Sequence, residues 1–365
     1  MTYTDQQKYW IWLSSIRGVG ASQFYQLINE YGEPGYVWDQ LILAKQLLTP
    51  AVYRHLREAR SQTYLDELFG RMEETGTVAL IQLDDDYPDR LRSIPDAPPT
   101  LFVRGNSAVL NAEKAFAIVG SRKVTVDGAR FTETIAQRLS ESGVSIVSGL
   151  ALGADRKAHE GCLSGGSPTV AVLACGPEII YPRENEDVAQ RILEEGGALV
   201  SEYRPDTKPA THQFPARNRI ISGLADGVLM TEGTARSGAM ITMNDARVQN
   251  RPRFAVPGSV YAAASEGTNK LLVEGALACV SENQVLDYFG WKKLDEPAAA
   301  MAEVLDELDE TSRRLVEILK FEEKSFDELA NIMKMSPSSL NSLLTILEMQ
   351  GLILEKAGKM YRAVI

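Results

Sequence analysis

From residue 115 to about 290, short runs that are apolar throughout alternate with longer stretches that are apolar on one side only. The runs are Ala115–Val119, Val144–Val147, Thr169–Leu173, Ala198–Val200, Gly227–Met230 and Arg253–Val256, and Ala129–Leu139 and Ile241–Val248 are two of the stretches between them. A strand without polar alternation is buried on both faces, and helix-length spacers supply the cover. The pattern therefore predicts a parallel sheet with helices on each side. Upstream, residues 5–70 place Ile11, Leu13, Ile16, Val19, Phe24, Leu27 and Ile28 at helical spacing. Asp84–Pro88 and the prolines at 95, 98 and 99 read as a connector, and Leu101–Gly105 as a short strand. Downstream come an acidic, alanine-rich stretch at 291–310, helical segments at Thr311–Leu319, Ser325–Met333 and Ser336–Met349, and two short runs, 351–354 and 360–362, that can pair as a hairpin.

These segments divide the chain into four parts: a small all-α N-terminal domain (1–75), an α/β domain (76–290), an acidic linker (291–310) and a C-terminal unit (311–365). The α/β domain is expected to be an extended Rossmann-like, doubly wound, mostly parallel sheet. The element order of the last unit resembles a winged helix. In the first domain, Ile16-Arg17-Gly18-Val19-Gly20 has two readings. It resembles the turn of a helix-hairpin-helix, whose amides meet a DNA phosphate, and it also fits a plain helical turn with a glycine cap.

Charge narrows the choice of ligand. With 38 Lys and Arg against 49 Asp and Glu, the net charge is −11, so no global field draws the chain to nucleic acid. Phosphate binding requires a local basic patch. Cys162, Cys175 and Cys279 are far apart, as are His55, His159 and His212. That spacing fits buried thiols in a reducing cytoplasm and offers no metal site. No run reaches the roughly 18–20 apolar residues of a membrane span, and the first residues show no secretory pattern. The expectation is a cytoplasmic protein with no membrane partner, no metal and no cofactor.

Candidate chemistry gathers where the predicted strands end, because ligands of doubly wound sheets bind at the carboxyl ends of the strands. Gly120, Ser121 and Arg122 follow the first strand. The glycine admits close backbone approach, and the serine and arginine donate to phosphate oxygens. Ser148 and Gly149 follow the second, and Arg183 lies beyond the third. The richest stretch carries Lys208, Phe214, Arg217, Asn218 and Arg219, an aromatic ring among cations, as single-strand binders use to stack bases and track the backbone. Ser237, Gly238 and Thr242 complete the edge. The dinucleotide fingerprint Gly-x-Gly-x-x-Gly is absent, as is a P-loop. Asp155 and His159 read as a helix cap and a part-buried imidazole, and Cys175 as a small buried residue rather than a nucleophile.

These motifs, in this order, resemble the DprA/Smf family of DNA processing proteins: Gly120-Ser121-Arg122, Ser148-Gly149-Leu150-Ala151, Tyr181-Pro182-Arg183-Glu184-Asn185, Phe214-Pro215-Ala216-Arg217-Asn218-Arg219, Ser237-Gly238, Val256-Pro257-Gly258 and Gly267-Thr268-Asn269. The resemblance implies a non-enzymatic protein that binds single-stranded DNA in a positive pocket of the Rossmann-like domain and dimerises through that domain. It also implies that the protein helps load the RecA recombinase during natural transformation. Arg122, Arg183, Phe214, Arg217 and Arg219 carry the pocket over. Arg183 stands where some relatives have Lys, and Met240 and Met243 flank Ile241-Thr242 as core variation. A rival from a related fold is a phosphoribohydrolase-like enzyme, whose paired glycines and downstream glutamate are missing from Thr231-Glu232-Gly233-Thr234-Ala235. Another is a nucleotide-sensing regulator that reads duplex DNA. The third helix of the terminal unit, 336–349, has no Lys or Arg, so duplex reading by it is not expected.

Overall fold

Ala115–Val119 forms β3, the central strand, and the other apolar runs assemble around it. The computed structural model describes residues 3–292, 308–321, 323–349, 352–356 and 359–363. The chain divides into two compact units after residue 292. Most of the predicted acidic linker, residues 293–307, lies outside the described residues.

In the larger unit, β1 (Thr77–Ile81), β2 (Thr100–Gly105), β3, β4 (Ser145–Ser148), β5 (Val170–Val172), β6 (Ala198–Ser201), β7 (Gly227–Met230), β8 (Arg253–Ala255) and β9 (Leu277–Ala278) form one sheet. Its order is β1-β2-β6-β5-β4-β3-β7-β8-β9. The seven strands from β6 to β9 are parallel, whereas β1 and β2 add antiparallel at the β6 edge. From β3 the chain builds outward through β4, β5 and β6, then returns to place β7 on the other side of β3. Strand order therefore reverses between β3 and β7, and a doubly wound sheet opens a crevice there.

Side-chain alternation along β3 divides the core. Phe116 and Ile118 pack beneath helices Val126–Glu141 and Ala154–Ser164 with Ile135, Leu139 and Cys162. Ala115, Ala117 and Val119 face the opposite layer with Ile220, Ile221, Met243 and Ala246, from helices Gln213–Gly223 and Ala239–Val248. The β1–β2 ribbon is shared in the same way. Leu80, Leu101 and Val103 join that second layer, while Ala79, Ile81 and Phe102 cover the core of the N-terminal helices.

Those helices are held by specific caps and polar tips. Thr4 and Gln7 form a capping box, and Thr49 and Ser61 cap two later helices. The indoles of Trp10 and Trp12 donate to the carbonyls of Pro99 and Ala59 at 2.8 and 2.9 Å. In the turn at 16–20, Gly18 has φ +95°, and a Cβ there would come within 2.8 Å of Val52. Packing thus accounts for this glycine. Strand β1 falls between the predicted helices and the connector that starts at Asp84, where the sequence reading assigns no element: Val78-Ala79-Leu80-Ile81 is too short a run to stand out without its antiparallel partner.

The smaller unit has helices Glu310–Phe321, Phe326–Met333 and Pro337–Met349, and a sheet of β10 (Lys324–Ser325), β12 (Met360–Ala363) and β11 (Ile353–Lys356). This is the winged-helix arrangement, built on Leu315, Leu319, Leu329, Leu340, Leu344, Leu347 and Tyr361. Among the described residues, no helix is long and apolar enough to cross a membrane.

His159 gives the fold a pH signature. Its ring is buried, Nδ1 lies 2.8 Å from the Thr169 hydroxyl, and Nε2 has no partner among the described residues. Burial, aided by the charge of Arg217, pushes its pKa down to about 3. The unfolded chain takes up this proton near pH 6.5, whereas the native state holds the ring neutral until about pH 3. Native stability is therefore full above about pH 6.5 and falls as pH drops, by at most about 1.4 kcal/mol per pH unit from this group. Urea midpoints between pH 7.5 and 5 should decline less steeply in His159→Gln than in the parent, and parallel declines would refute the assignment.

Candidate functional site

The crevice expected at the strand-order reversal is present as a cleft of about 800 Å³. Its walls are the loop after β3 (Gly120, Ser121, Arg122, Lys123), the loop after β7 (Glu232, Gly233, Thr234, Ser237, Gly238) and the first turns of helices Gln213–Gly223 and Ala239–Val248. A smaller apolar recess of about 100 Å³ adjoins it, bounded by Gly149, Leu152, Cys175, Tyr181, Pro182 and Phe214.

Arg217 ties the base of this region together. It is 4% exposed, and one guanidinium nitrogen donates to the carbonyl of Gly149 at 2.7 Å and to that of Val172. The side chain thus bridges the ends of β4 and β5. Burial lowers its pKa to about 10, with the nearby Asp155 opposing the shift, so the group stays charged at neutral pH. Asp155 is itself buried. Desolvation raises its pKa, while Arg217 and the amides of Ala151 and Gly149 pull it back. A Cβ at Gly149 would lie 2.7 Å from the Arg217 guanidinium and 2.8 Å from the Asp155 carboxylate. Close approach, rather than backbone conformation, therefore requires glycine at 149. Asn185 donates to the Leu150 carbonyl at 2.8 Å and Arg156 to that of Glu184 at 2.6 Å, so the turn after Pro182 holds the same loop from outside.

Above that floor, the mouth is aromatic and cationic. The Arg122 guanidinium lies over the Phe214 ring at 5.3 Å from its centroid, and the Tyr181 ring is 5.7 Å from that of Phe214, inclined by 54°. Arg122 and Lys123 are exposed, and neither forms an ion pair among the described residues. Phe214 is half-buried and Tyr181 exposed, so both keep ring area available to a ligand.

The opposite wall is already filled with negative charge. Glu232 is buried, accepts from the Thr125 amide at 3.1 and 3.2 Å, and accepts from its hydroxyl at 2.7 Å. Thr125 caps helix Val126–Glu141, so this carboxylate occupies the helix N-terminus where a nucleotide-binding sheet would hold phosphate. Gly128, in the first turn, leaves room for it, since a Cβ there would collide with the Glu232 carboxylate. With this helix terminus taken by Glu232, Arg122 and Lys123 are left as the exposed cations of the cleft lining.

A family model for DNA recombination-mediator protein A matches residues 78–290. The chain belongs to the DNA recombination-mediator protein A family, DprA/Smf. A second model, the DprA winged helix domain, matches residues 297–359. Protein Smf of Synechocystis sp. is 35% identical over 292 residues, which is 78% of this chain and 73% of that one. The DNA processing protein DprA of Streptococcus pneumoniae is 42% identical over 207 residues, covering 57% and 72%. Its crystal structure aligns with TM-score 0.66 and 35% identity over 79% of this chain and 98% of that one. DNA processing protein A from Helicobacter pylori, whose structure concerns its single-stranded DNA binding mode, aligns with TM-score 0.53 and 30% identity over 58% and 95%.

In this DprA/Smf chain, nine of the fourteen predicted site residues line the cleft: Gly120, Ser121, Arg122, Phe214, Arg217, Asn218, Ser237, Gly238 and Thr242. Gly149 borders the recess. Two expectations are corrected by geometry. Ser148 is fully buried and its hydroxyl donates to the Ile118 carbonyl at 2.6 Å. Arg219 is clamped by Glu202 at 2.7 Å and Asp96 at 3.0 Å. Arg183 and Lys208 are exposed but outside the lining. Sequence reasoning missed Lys123, Tyr181 and the anchoring role of Glu232. Lys123 adjoins a named motif and Tyr181 stands inside one, whereas the partner of Glu232 is 107 residues away.

Arg217 and Arg122 therefore differ in kind. Arg217→Ala leaves two buried carbonyls without a donor and Asp155 without its countercharge, and should lower stability by about 3–5 kcal/mol. Arg122→Ala removes an exposed cation and should change stability by about 0.5 kcal/mol or less. Urea denaturation of the two variants checks this, and equal losses would overturn the division of roles.

Proposed function

We propose that this chain binds single-stranded DNA in the cleft between the ends of β3 and β7. The observation that carries this reading is the exposed Arg122 stacked on Phe214, with Tyr181 beside them and Lys123 at the rim. Unpaired bases present π faces to the two rings, at about 1–3 kcal/mol per stacked base, while the cations follow the phosphates. The local cluster answers the difficulty posed by a net charge of −11. Duplex DNA hides its base faces and gains little from such a mouth. The similarity to the Helicobacter pylori protein points to the same ligand.

We infer a binding role rather than a catalytic one. Burial pushes the Cys175 thiol up to about 12, and the buried His159 is held neutral outside the cleft lining, so neither is poised to act on a ligand. By its DprA/Smf membership, the chain is further proposed to act as a cytoplasmic homodimer that protects incoming strands and helps load RecA in natural transformation. The peripheral expectations for Arg183 and Lys208 become part of this proposal as outer phosphate contacts.

The test is a salt titration of oligothymidine and of a duplex of equal length, followed by fluorescence anisotropy. Single-strand affinity should exceed duplex affinity and fall steeply with salt, with a log–log slope of about −0.7 per phosphate contacted. Arg122→Ala and Phe214→Ala should each weaken single-strand binding about tenfold or more. Equal affinity for the duplex, or unchanged affinity in both variants, would remove the reading.

A further inference from the structure

Beside the cleft, two loops are fastened into one platform. The 233–238 loop lines the cleft through Thr234 and Ser237, and the 257–265 loop through Ala264. The Gly233 amide donates to the Ala264 carbonyl at 2.7 Å, the Gly267 amide to the Gly233 carbonyl at 2.8 Å, and the Ala235 amide to the Glu266 carboxylate at 3.3 Å. A Cβ at Gly267 would lie 2.6 Å from the Gly233 carbonyl, so the contact tolerates only glycine there. At the base of the second loop, the Asn269 side chain both accepts from the Gly258 amide at 3.2 Å and donates to its carbonyl at 3.0 Å.

This well-braced platform carries two side chains with no internal role. Arg236, at the tip of the first loop, is exposed and forms no ion pair among the described residues. Tyr261, on the second, is 96% exposed, and its neighbour Val260 is 82% exposed. A ring left this open contributes nothing to the core, and a rigid loop base keeps the entropy cost of using it low. A cation and an aromatic ring thus stand exposed on two loops that are hydrogen-bonded to each other and that both line the cleft.

We propose that the single-strand track does not end at the cleft but continues over this platform, with Arg236 taking a backbone phosphate and Tyr261 stacking a base. This rests on the reading of the cleft as the DNA site and extends it to a longer binding length. The ligand is the phosphodiester strand leaving the cleft, on the side of β8.

A ladder of thymidine oligomers from about 3 to 15 nucleotides tests it. Affinity of the parent chain should keep rising beyond the length at which Arg236→Ala and Tyr261→Ala reach a plateau, so that each variant loses about tenfold on the longest oligomers and little on the shortest. The salt slope should flatten by about 0.7 in Arg236→Ala and stay unchanged in Tyr261→Ala. Arg122→Ala should weaken binding at every length. Superimposable ladders for parent and platform variants would overturn this proposal while leaving the cleft in place. Absence of binding at any length would instead sink the cleft reading. A Tyr261→Ala variant with an altered sedimentation coefficient and undiminished DNA affinity would make the loop a contact between copies of the chain, and would also overturn the proposal.

Discussion

A single buried guanidinium organises the functional end of this sheet. Arg217 spans the ends of β4 and β5 by donating to Gly149 and Val172, and it offsets the charge of the buried Asp155. Its cost in desolvation is visible in its own lowered pKa. Burying a cation so that it serves backbone carbonyls leaves the loop ends in one arrangement, because any other would strand a charge without partners. Phe214, three residues earlier in the same helix, is thereby placed beneath Arg122. The Arg122–Phe214 pair at the mouth depends on the hidden guanidinium.

Around this anchor the site is divided by sign. Glu232 closes the helix terminus that most sheets of this class offer to phosphate, and Thr125 and Gly128 are shaped around it. The cations that remain uncommitted, Arg122 and Lys123, stand at the outer rim beside the rings. A strongly acidic chain can in this way present a small positive, aromatic opening without altering its overall charge. On the proposed reading, this arrangement favours a polymer that supplies both bases and phosphates over a mononucleotide whose phosphate would need the helix terminus.

Much of this was legible in the residues. The apolar runs located six of the seven parallel strands, β3 to β8, to within a residue or so, because strands buried on both faces lack polar interruptions; the exposed two-residue β9 offers no such run. The Gly120-Ser121-Arg122 and Phe214–Arg219 stretches marked the edge at which the cleft opens, for the same reason that strand ends mark a crevice in any doubly wound sheet. What failed was the assignment of individual cations. Arg122, Arg217 and Arg219 look alike in the sequence, yet one faces solvent, one bridges carbonyls and one is clamped by Glu202 and Asp96. Only three-dimensional partners, 17 to 123 residues away, separate them. Strand β1 was missed because its pairing with β2 is non-local, and Glu232 because its role lies in a contact across the sheet.

In the proposed complex, a strand's bases meet the protein at the Arg122–Phe214–Tyr181 cluster. Photo-crosslinking of 5-iodouracil-substituted single strands, with the attached peptides mapped by mass spectrometry, addresses it most directly. Adducts are expected on Phe214 and Tyr181 and should disappear in the presence of excess unlabelled oligothymidine. Adducts confined to the winged-helix unit or to the turn at 16–20, with none on these two rings, would contradict it.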